Sequence, residues 1–477
     1  MRNETMIDTL VPPSQARPRP ARSRGGWFGS LLLRLHFSAG LLVGPFILVA
    51  ATSGALYAIA PTLDELVYGH ELHAPVTATS LSLAEQITAA EAYVGEGAVP
   101  TAVRPAPEPG DTTRVMFAED DLAASESRAV FVDPGTGEIR GDLTAYGTSG
   151  SLPVRTWISN LHRNLHLGEP GRLYSELAAS WLAVVVLAGA ALWVQRIRRA
   201  RVKRELVVPA VRRSGYRRLF SWHASVGIWV LLGALMLSAT GITWSTYAGA
   251  NVSAARAAIG GATPALRTDL SGAEEAPDEH AAHHGGAAPM PTGEANPATF
   301  DAVLAIARRI NVDTGEVEIK PPAASGQAWT VTEIKRSFPT EADAVAIDGA
   351  TMQVVSRVDF ADFPLLAKLA RWGIDLHMGV LFGWVNQLAL LLIAVGIGTL
   401  VVLGYAMWWR RRPTRGGKRM GSAPARGALR AAPWWGVLAV VAVAGLIGWW
   451  LPLVGYPLVA FVVIDALLGL RARVRAG

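Results

Sequence analysis

The sequence predicts an α-helical integral membrane bundle. It has a four-helix core from a tandem repeat, a C-terminal helical hairpin and two small α+β modules outside the membrane. Three observations lead to this fold class. The 477 residues are 51% hydrophobic and only 17% charged, whereas about 25% of residues are charged in an average soluble protein. Long apolar runs alternate with polar segments, and matching residues recur at fixed offsets along the chain.

The apolar runs are long enough to cross a bilayer. A hydrocarbon core needs about 20 apolar residues in a helix, and residues 35–60, 177–194, 219–244 and 380–409 meet that length. Residues 434–470 hold two shorter runs broken at proline, which predicts a hairpin. The first run is too long for a cleavable signal peptide, so we expect a signal anchor.

Basic residues flank these runs. Segments 1–35, 196–218, 410–430 and 471–477 hold 27 of the 44 Lys and Arg residues but only 3 of the 38 Asp and Glu residues. The positive-inside rule explains this segregation better than nucleic-acid binding does. We therefore expect six spans in a bacterial inner membrane, both termini in the cytoplasm, contact with lipid and no nucleic-acid partner.

The two long polar segments have the pattern of small α+β modules. Each contains a helix candidate, at 81–94 and at 299–310, followed by strand-like stretches. A strand at 129–133 runs into the turn sequence PGTG, and a strand at 344–348 runs into GA.

These features divide the chain into consecutive segments. The predicted order is basic tail 1–28, first span 29–62, outer module 63–155, second span 156–197, basic loop 198–215, third span 216–247, outer module 248–365 with an insertion at about 270–297, fourth span 366–410, basic loop 411–433, fifth span 434–451, sixth span 453–470 and tail 471–477.

An internal repeat relates the two halves. With an offset of 215, the matching residues are Asp133 and Asp348, Thr136 and Thr351, His162 and His377, Gly168 and Gly383, Gly189 and Gly404, Trp193 and Trp408, and Arg196 and Arg411. With an offset of 187, they are His36 and His223, Gly40 and Gly227, Ser53 and Thr240, and Gly54 and Gly241. The insertion accounts for the difference between the offsets.

Four histidines are paired by this repeat. His36 and His223 begin the first and third spans next to basic flanks, and His162 and His377 precede the second and fourth runs on the outer side. Pseudo-twofold symmetry places each pair face to face, and two opposed imidazoles can ligate one haem iron. The glycine one turn after His36 and after His223 leaves room for a flat macrocycle.

Other interpretations of the histidines remain open. The four could be interfacial residues that cap helices or bind lipid headgroups, although ionisable groups beside spans more often mark function. His166 competes with His162, but its repeat counterpart is Leu381. His280, His283 and His284 could bind a transition metal weakly, against the alternative of a solvated low-complexity loop.

The sequence lacks two features, and their absence excludes several kinds of cofactor and covalent chemistry. The sequence contains no cysteine, which excludes disulfides, thiolate metal sites and covalently attached c-type haem. No glycine-rich dinucleotide fingerprint follows a strand, so an internal NAD or flavin domain is not expected. The two histidine pairs therefore predict two haems per chain that are not attached through cysteine.

The chain resembles the PepSY-associated transmembrane family of iron-regulated bacterial membrane proteins over roughly residues 28–412. The stretches that carry the resemblance are RLHFSAGLLVGPFILVAATSGALYA, LHRNLHLGEPGRL, SWHASVGIWVLLGALMLSATGITW and DLHMGVLFGWVNQ, with MWWRRRP closing the region. The outer stretches VDPGTGEI and AIDGATMQV are similar to PepSY modules. The C-terminal hairpin lies outside the resemblance.

The resemblance implies a four-helix core with b-type haem and, for some members, ferric-siderophore reduction. Carried over, it assigns His36 with His223 to an inner haem and His162 with His377 to an outer one. A cytoplasmic or quinol donor would supply electrons, and an extracytoplasmic ferric chelate would accept them. The alternatives are a non-enzymatic protein whose PepSY modules bind a peptide, protease or siderophore, and a protein that binds and exchanges haem.

Overall fold

The computed structural model describes residues 26–123, 125–198, 203–271, 295–411 and 424–474. The chain is mostly helical and also contains one eight-stranded antiparallel sheet. The helices are α1 (Gly26–Ala58), α2 (Ala60–Val67), α3 (Gly69–Leu72), α4 (Leu83–Val94), α5 (Pro153–Asn164), α6 (Glu169–Ile197), α7 (Gly215–Trp229), α8 (Leu231–Thr243), α9 (Tyr247–Ala258), α10 (Pro297–Ala307), α11 (Leu365–His377), α12 (Gly383–Arg410), α13 (Trp434–Trp450) and α14 (Pro452–Val474). The strands are β1 (Pro100–Arg104), β2 (Thr113–Phe117), β3 (Glu126–Val132), β4 (Ile139–Tyr146), β5 (Val317–Lys320), β6 (Trp329–Glu333), β7 (Ala344–Ile347) and β8 (Val354–Val358).

The apolar runs form the helices that could span a membrane. Among the described residues, α1, α6 and α12 are each long and apolar enough, and α7 with α8 makes a fourth span if the bent pair is counted as one. α1 packs against α6 and α12, while α8 packs on α6 and α7 packs on α12. The four runs expected to form the core therefore lie side by side. The shorter apolar helices α13 and α14 follow them, and their crossing of the membrane stays a prediction.

The third span differs from the first because it is bent by 61° between α7 and α8. Glycines allow this bent helix to approach α12 closely. A Cβ on Gly396 would lie 2.5 Å from Val230 Cγ1, and a Cβ on Gly233 would lie 2.4 Å from Ile393 Cδ1. A side chain at either position would force Val230 or Ile393 to shift, so this close contact depends on glycine.

The sequence suggested a separate α+β module in each polar segment, but the strands of both segments form one sheet. Their strands join in the order β4-β3-β2-β1-β5-β6-β7-β8, with β1 and β5 paired where the two modules meet. Val103 lies opposite Ile319 at this junction. Each half follows the predicted pattern of a helix followed by strands, of which each half has four. The backbone hydrogen bonds continue from one half to the next. The two modules are thus one unit.

The two faces of this sheet have different partners. Alternate residues of the strands, including Val103, Val115 and Ile319, pack beneath α4 and α10 in one apolar core. Asp301 of α10 accepts hydrogen bonds from the backbone N–H groups of Leu83 and Ala84, which ties the two helices together. The opposite face is directed toward the end of the helix bundle, where α3 and α5 pack on β4.

Short breaks separate the outer helices from the spans that follow them. The predicted second span, 156–197, is two helices, because Leu165 and His166 adopt positive φ between α5 and α6. Gly168 (φ 65°) and Gly383 (φ 56°) occupy matching positions before α6 and at the start of α12. Glycine is the residue that adopts this conformation without strain. The repeat therefore preserves the turn that begins each span.

Candidate functional site

The structure brings the four repeated histidines together in two pairs. His36 of α1 and His223 of α7 face each other with their ring centroids 6.1 Å apart, and we call them the basic-side pair. His162 of α5 and His377 of α11 have centroids 6.3 Å apart, and we call them the sheet-side pair. Each pair therefore joins the two halves of the repeat, as the sequence predicts.

The pairs lie near opposite ends of the bundle. His36 is in the third turn of α1, whereas His162 contacts the same helix at Ser53. At a rise of about 1.5 Å per residue, these two positions are about 25 Å apart along α1. Two centres at this separation would lie near the two faces of a membrane whose hydrocarbon core is about 30 Å thick.

The basic-side pair is held by two backbone carbonyls. Nδ1 of His36 donates to the carbonyl of Val185 at 2.9 Å, and Nδ1 of His223 donates to the carbonyl of Leu400 at 3.1 Å. Val185 and Leu400 are 215 residues apart, so the same position of the repeat supplies both acceptors.

Glycine makes one of these carbonyls accessible. Gly189 lies one turn after Val185, where a side chain would point back over that carbonyl. A Cβ on Gly189 would lie 3.0 Å from Cε1 of His36. Its repeat partner Gly404 follows Leu400 in the same way, although a Cβ there would contact nothing within 4 Å. The first glycine therefore fixes how closely His36 approaches α6.

The sheet-side pair is held by two side-chain hydroxyls. Oγ of Ser53 lies 3.0 Å from Nδ1 of His162, and Oγ1 of Thr240 lies 2.6 Å from Nδ1 of His377. Each hydroxyl donates its own hydrogen to a helix carbonyl one turn earlier, at Val49 and at Met236. The hydroxyl oxygens are therefore the acceptors, and both Nδ1 atoms carry the proton.

All four imidazoles consequently share one tautomer. Nδ1 is protonated and engaged in a hydrogen bond, which leaves Nε2 as a free donor of electrons to a metal. A hydrogen bond on one ring nitrogen is the usual arrangement of a metal-bound histidine, because it orients the ring and raises its basicity. The sequence signal for these acceptors was the repeated Ser53 and Thr240, to which no role was assigned.

The spacing of each pair fits one metal ion between the rings. Metal–nitrogen bonds of about 2 Å on both sides place the centroids of two opposed imidazoles roughly 6 Å apart. The observed separations are 6.1 and 6.3 Å. The spacing of the donor set is therefore compatible with an ion coordinated by two nitrogens.

Glycines also leave space beside the basic-side pair. A Cβ on Gly40, one turn after His36, would contact nothing within 4 Å. A Cβ on Gly227, one turn after His223, would contact only Leu400 Cδ2, at 3.7 Å. On the sheet side, a Cβ on Gly54 would lie 3.1 Å from Cε1 of His162. The four-histidine donor set and the open space beside the basic-side pair are compatible with the expected haem, whereas the glycine on the sheet side serves the close approach of His162.

The remaining histidines are arranged differently. His166 is exposed, lies in the turn after α5 and packs against Trp157 with ring centroids 5.1 Å apart. The structure pairs His377 with His162 and not with this competitor. His280, His283 and His284 lie outside the described residues, so their expected metal site is untested.

One acidic cluster has a spacing compatible with a cation. Carboxylate oxygens of Glu333, Glu341 and Asp343 lie within 4.8 Å of one another. However, Glu333 already accepts hydrogen bonds from the backbone N–H groups of Asp313, Thr314 and Asp343. We interpret this carboxylate as a cap for a loop beside β6.

Comparison with known proteins yields one family. A family model described as the PepSY-associated TM region matches residues 33–411, which include both histidine pairs and the whole sheet. No curated protein matches the chain.

Proposed function

Because the chain belongs to the family of proteins with a PepSY-associated TM region, we propose that it is a di-haem transmembrane electron-transfer protein. In this proposal, it reduces an extracytoplasmic ferric chelate, such as a ferric siderophore, and so releases iron. In this proposal, the basic-side pair lies at the cytoplasmic face of a bacterial inner membrane, and the basic flanks support this orientation through the positive-inside rule. The sheet-side pair and the sheet would then lie outside.

The observation that carries the proposal is the common design of the two pairs. In each, two histidines from different halves of the chain face each other at about 6 Å, and each Nδ1 donates a hydrogen bond. Interfacial histidines that only cap helices have no reason to keep both features at both ends of a bundle. A pair of metal-binding sites does.

Haem held by two such imidazoles would supply one-electron redox chemistry with no open coordination position. The chain would orient the imidazole rings and exclude water from them. Val185 and Leu400 fix the basic-side rings through their carbonyls, and Ser53 and Thr240 fix the sheet-side rings. Trp244 packs against His377 with ring centroids 5.4 Å apart and shields it.

The electrons of the overall reaction balance when a quinol or a reduced cytoplasmic carrier is the donor. Each ferric ion takes up one electron, and a quinol or a reduced cytoplasmic carrier is oxidised by the same number of electrons. Reduction to Fe(II) weakens chelation by hard oxygen ligands. The chain then needs no nucleophile, and it needs only a binding surface outside and the two pairs between donor and acceptor.

An absorbance spectrum tests this proposal directly. Protein expressed with sufficient haem and purified in detergent should carry two b-type haems per chain, with six-coordinate low-spin bands before and after dithionite. Adding a ferric chelate to the reduced protein should reoxidise it. A colourless preparation would contradict the proposal and favour the alternative, in which PepSY modules bind a peptide, protease or siderophore without redox chemistry.

A further inference from the structure

The loop between α6 and α7 is folded against both helices, and we call its residues 203–213 the valine loop. Nε1 of Trp193 on α6 donates to the carbonyl of Leu206 at 3.1 Å, and Nε1 of Trp229 on α7 donates to the carbonyl of Val207 at 2.9 Å. Leu206 is buried. The loop is therefore a shaped surface in the angle between two helices, and its side chains have defined places.

The centre of the valine loop is apolar and exposed. Val207, Val208 and Val211 are all exposed, and Val211 has 67% of its surface exposed. Trp229, whose indole bonds to this loop, is 76% exposed. Removing apolar groups from water is favourable, and the region where lipid headgroups meet acyl chains accepts aliphatic and indole side chains together. The centre of the loop therefore fits the surface layer of a bilayer.

Cations precede and follow this apolar centre along the chain. Six of them are exposed on the valine loop and the first turn of α7: Lys203, Arg204, Arg212, Arg213, Arg217 and Arg218. Glu205 is the single acidic residue between positions 203 and 229, and it pairs with Arg213, with Oε2 and Nη2 at 2.5 Å. The other five cations form no ion pair within the part of the chain that the structure describes. This surface therefore carries positive charge that is available to an anion.

The valine loop is bonded to α7 on both sides of His223. The backbone N–H of Ala210 donates to Oγ of Ser221 at 2.8 Å, two residues before this histidine. Trp229, which holds the carbonyl of Val207, comes six residues after it. Trp229 is also the last residue of α7, where the span bends by 61°. A ligand that restrains the loop therefore also restrains the helix that carries His223.

A phospholipid fits this surface better than an acidic protein does. The loop follows the end of α6, which is long and apolar enough to span a membrane, and leads into the bent span. It therefore lies where lipid headgroups are expected. An acidic protein would match the cations but would leave the apolar centre uncovered, whereas an anionic lipid supplies a negative headgroup and acyl chains in one molecule.

We propose that the valine loop and the first turn of α7 bind an anionic phospholipid, whose occupancy holds α7 and its His223 in place. Arg204 and Arg212 contact the headgroup phosphate, and the acyl chains lie against Val211 and Trp229. Guanidinium groups bind phosphate oxygens through paired N–H donors, and basic residues at a membrane surface favour anionic lipids. The effect on His223 rests on the proposed function, whereas lipid binding itself does not.

Phosphatidylglycerol with brominated acyl chains tests this site on the full-length protein in a neutral detergent. Bromine quenches the fluorescence of a tryptophan that it contacts, and the difference between wild-type and W229F protein isolates the signal of Trp229. We expect saturable quenching of Trp229 at concentrations where brominated phosphatidylcholine quenches little. In R204Q/R212Q, the half-saturating concentration should rise at least about fivefold, because each basic residue near an anionic surface contributes roughly that factor to affinity.

Two further variants control for charge and folding. R308Q/R309Q removes two exposed charges at the end of α10, on the sheet side, and should leave the quenching curve unchanged. R204K/R212K keeps both charges and should bind the lipid more tightly than R204Q/R212Q. Equal quenching by phosphatidylcholine or an unchanged curve in R204Q/R212Q would overturn the inference. So would displacement of the lipid by an equal concentration of glycerol phosphate, which indicates a site for free phosphate, or of polyglutamate, which indicates an acidic protein.

The effect on His223 has a separate readout. In protein that carries haem, phosphatidylglycerol should shift the midpoint potential of the basic-side pair and leave that of the sheet-side pair unchanged. Equal shifts of both potentials, or none, would contradict the link to His223. A colourless protein that still binds the lipid would contradict the proposed function alone, and a protein with two haems but no preference for the anionic lipid would contradict this inference alone.

Discussion

The basic-side and sheet-side pairs share a spacing and a tautomer but are built from different parts of the chain. His36 and His223 lie within the membrane-crossing helices and donate to backbone carbonyls. His162 and His377 lie on the separate helices α5 and α11 and donate to hydroxyl side chains. Side-chain substitution can therefore remove the acceptor of one pair, whereas the acceptor of the other can only be obstructed.

Replacing one histidine should distinguish the two pairs most clearly. His36→Ala or His223→Ala should leave one haem per chain by emptying the basic-side pair, and His162→Ala or His377→Ala should empty the sheet-side pair. Haem quantification and the positions of the low-spin bands would distinguish the two classes of variant. Equal loss of both haems in every variant would indicate general unfolding and contradict the pairing.

The next largest effect should come from acid. A fall in pH should affect the sheet-side pair before the basic-side pair, because the sheet-side pair lies beneath the sheet. Burial alone would raise the pKa of Glu318, but Arg104 and Lys320 hold it at about 2, below its ordinary value of 4.5. This carboxylate therefore adds about 3 kcal/mol of stability. The contribution is complete above about pH 4.5 and is lost as the pH falls toward 2.

Absorbance and circular dichroism recorded between pH 5 and 2 would test this expectation. We expect the sheet and the sheet-side signal to change before the basic-side signal. Glu318→Gln should destabilise the sheet at neutral pH by about 3–5 kcal/mol, because it leaves Arg104 buried without its partner. Loss of both signals at one pH would show that the sheet and the bundle unfold together.

A smaller effect is expected from the glycines of the repeat. In Gly189→Ala the new Cβ would lie 3.0 Å from Cε1 of His36, so this ring must shift. Disturbing the orientation of a ligand typically lowers metal affinity by about 10–100-fold, and haem titration of the basic-side pair would measure it. Gly404→Ala is the matched control, because its Cβ contacts nothing within 4 Å. Equal losses in both variants would refute this steric explanation.

The smallest effect should come from the hydroxyls. Ser53→Ala or Thr240→Val removes an acceptor from one Nδ1–H, which makes that imidazole a weaker electron donor. The sheet-side midpoint potential should rise by tens of millivolts, up to about 59 mV for a tenfold change in relative ligand affinity. Redox titration should show an unchanged basic-side potential, and Thr240→Ser should restore the sheet-side value. A shift of both potentials would contradict the local hydrogen-bond account.

Several features follow from short-range sequence patterns. Hydropathy locates α1, α6, the α7–α8 pair and α12, because a spanning helix must bury a continuous apolar run in lipid. The helices α4 and α10 and the strands before PGTG and GA also follow from local periodicity and turn residues. The constant offsets of the repeat paired His36 with His223 and His162 with His377, and in the structure the two rings of each pair are neighbours with centroids 6.1 and 6.3 Å apart.

Other features depend on contacts between distant segments. The pairing of β1 with β5, which unites the two modules, requires backbone hydrogen bonds between residues more than 200 positions apart. The bend at Val230 lies within an apolar run whose hydropathy favours a continuous helix. Its position is determined by packing against other elements, which no local pattern encodes.

The sequence by itself determined the membrane-crossing runs, the repeat and the four histidines, because these depend on residue type and spacing along the chain. Only the tertiary structure decided that carbonyls hold one pair and hydroxyls the other. Those partners come from different helices. Their meeting is a property of the packed bundle, since the free energy of each contact is gained only when the elements are assembled.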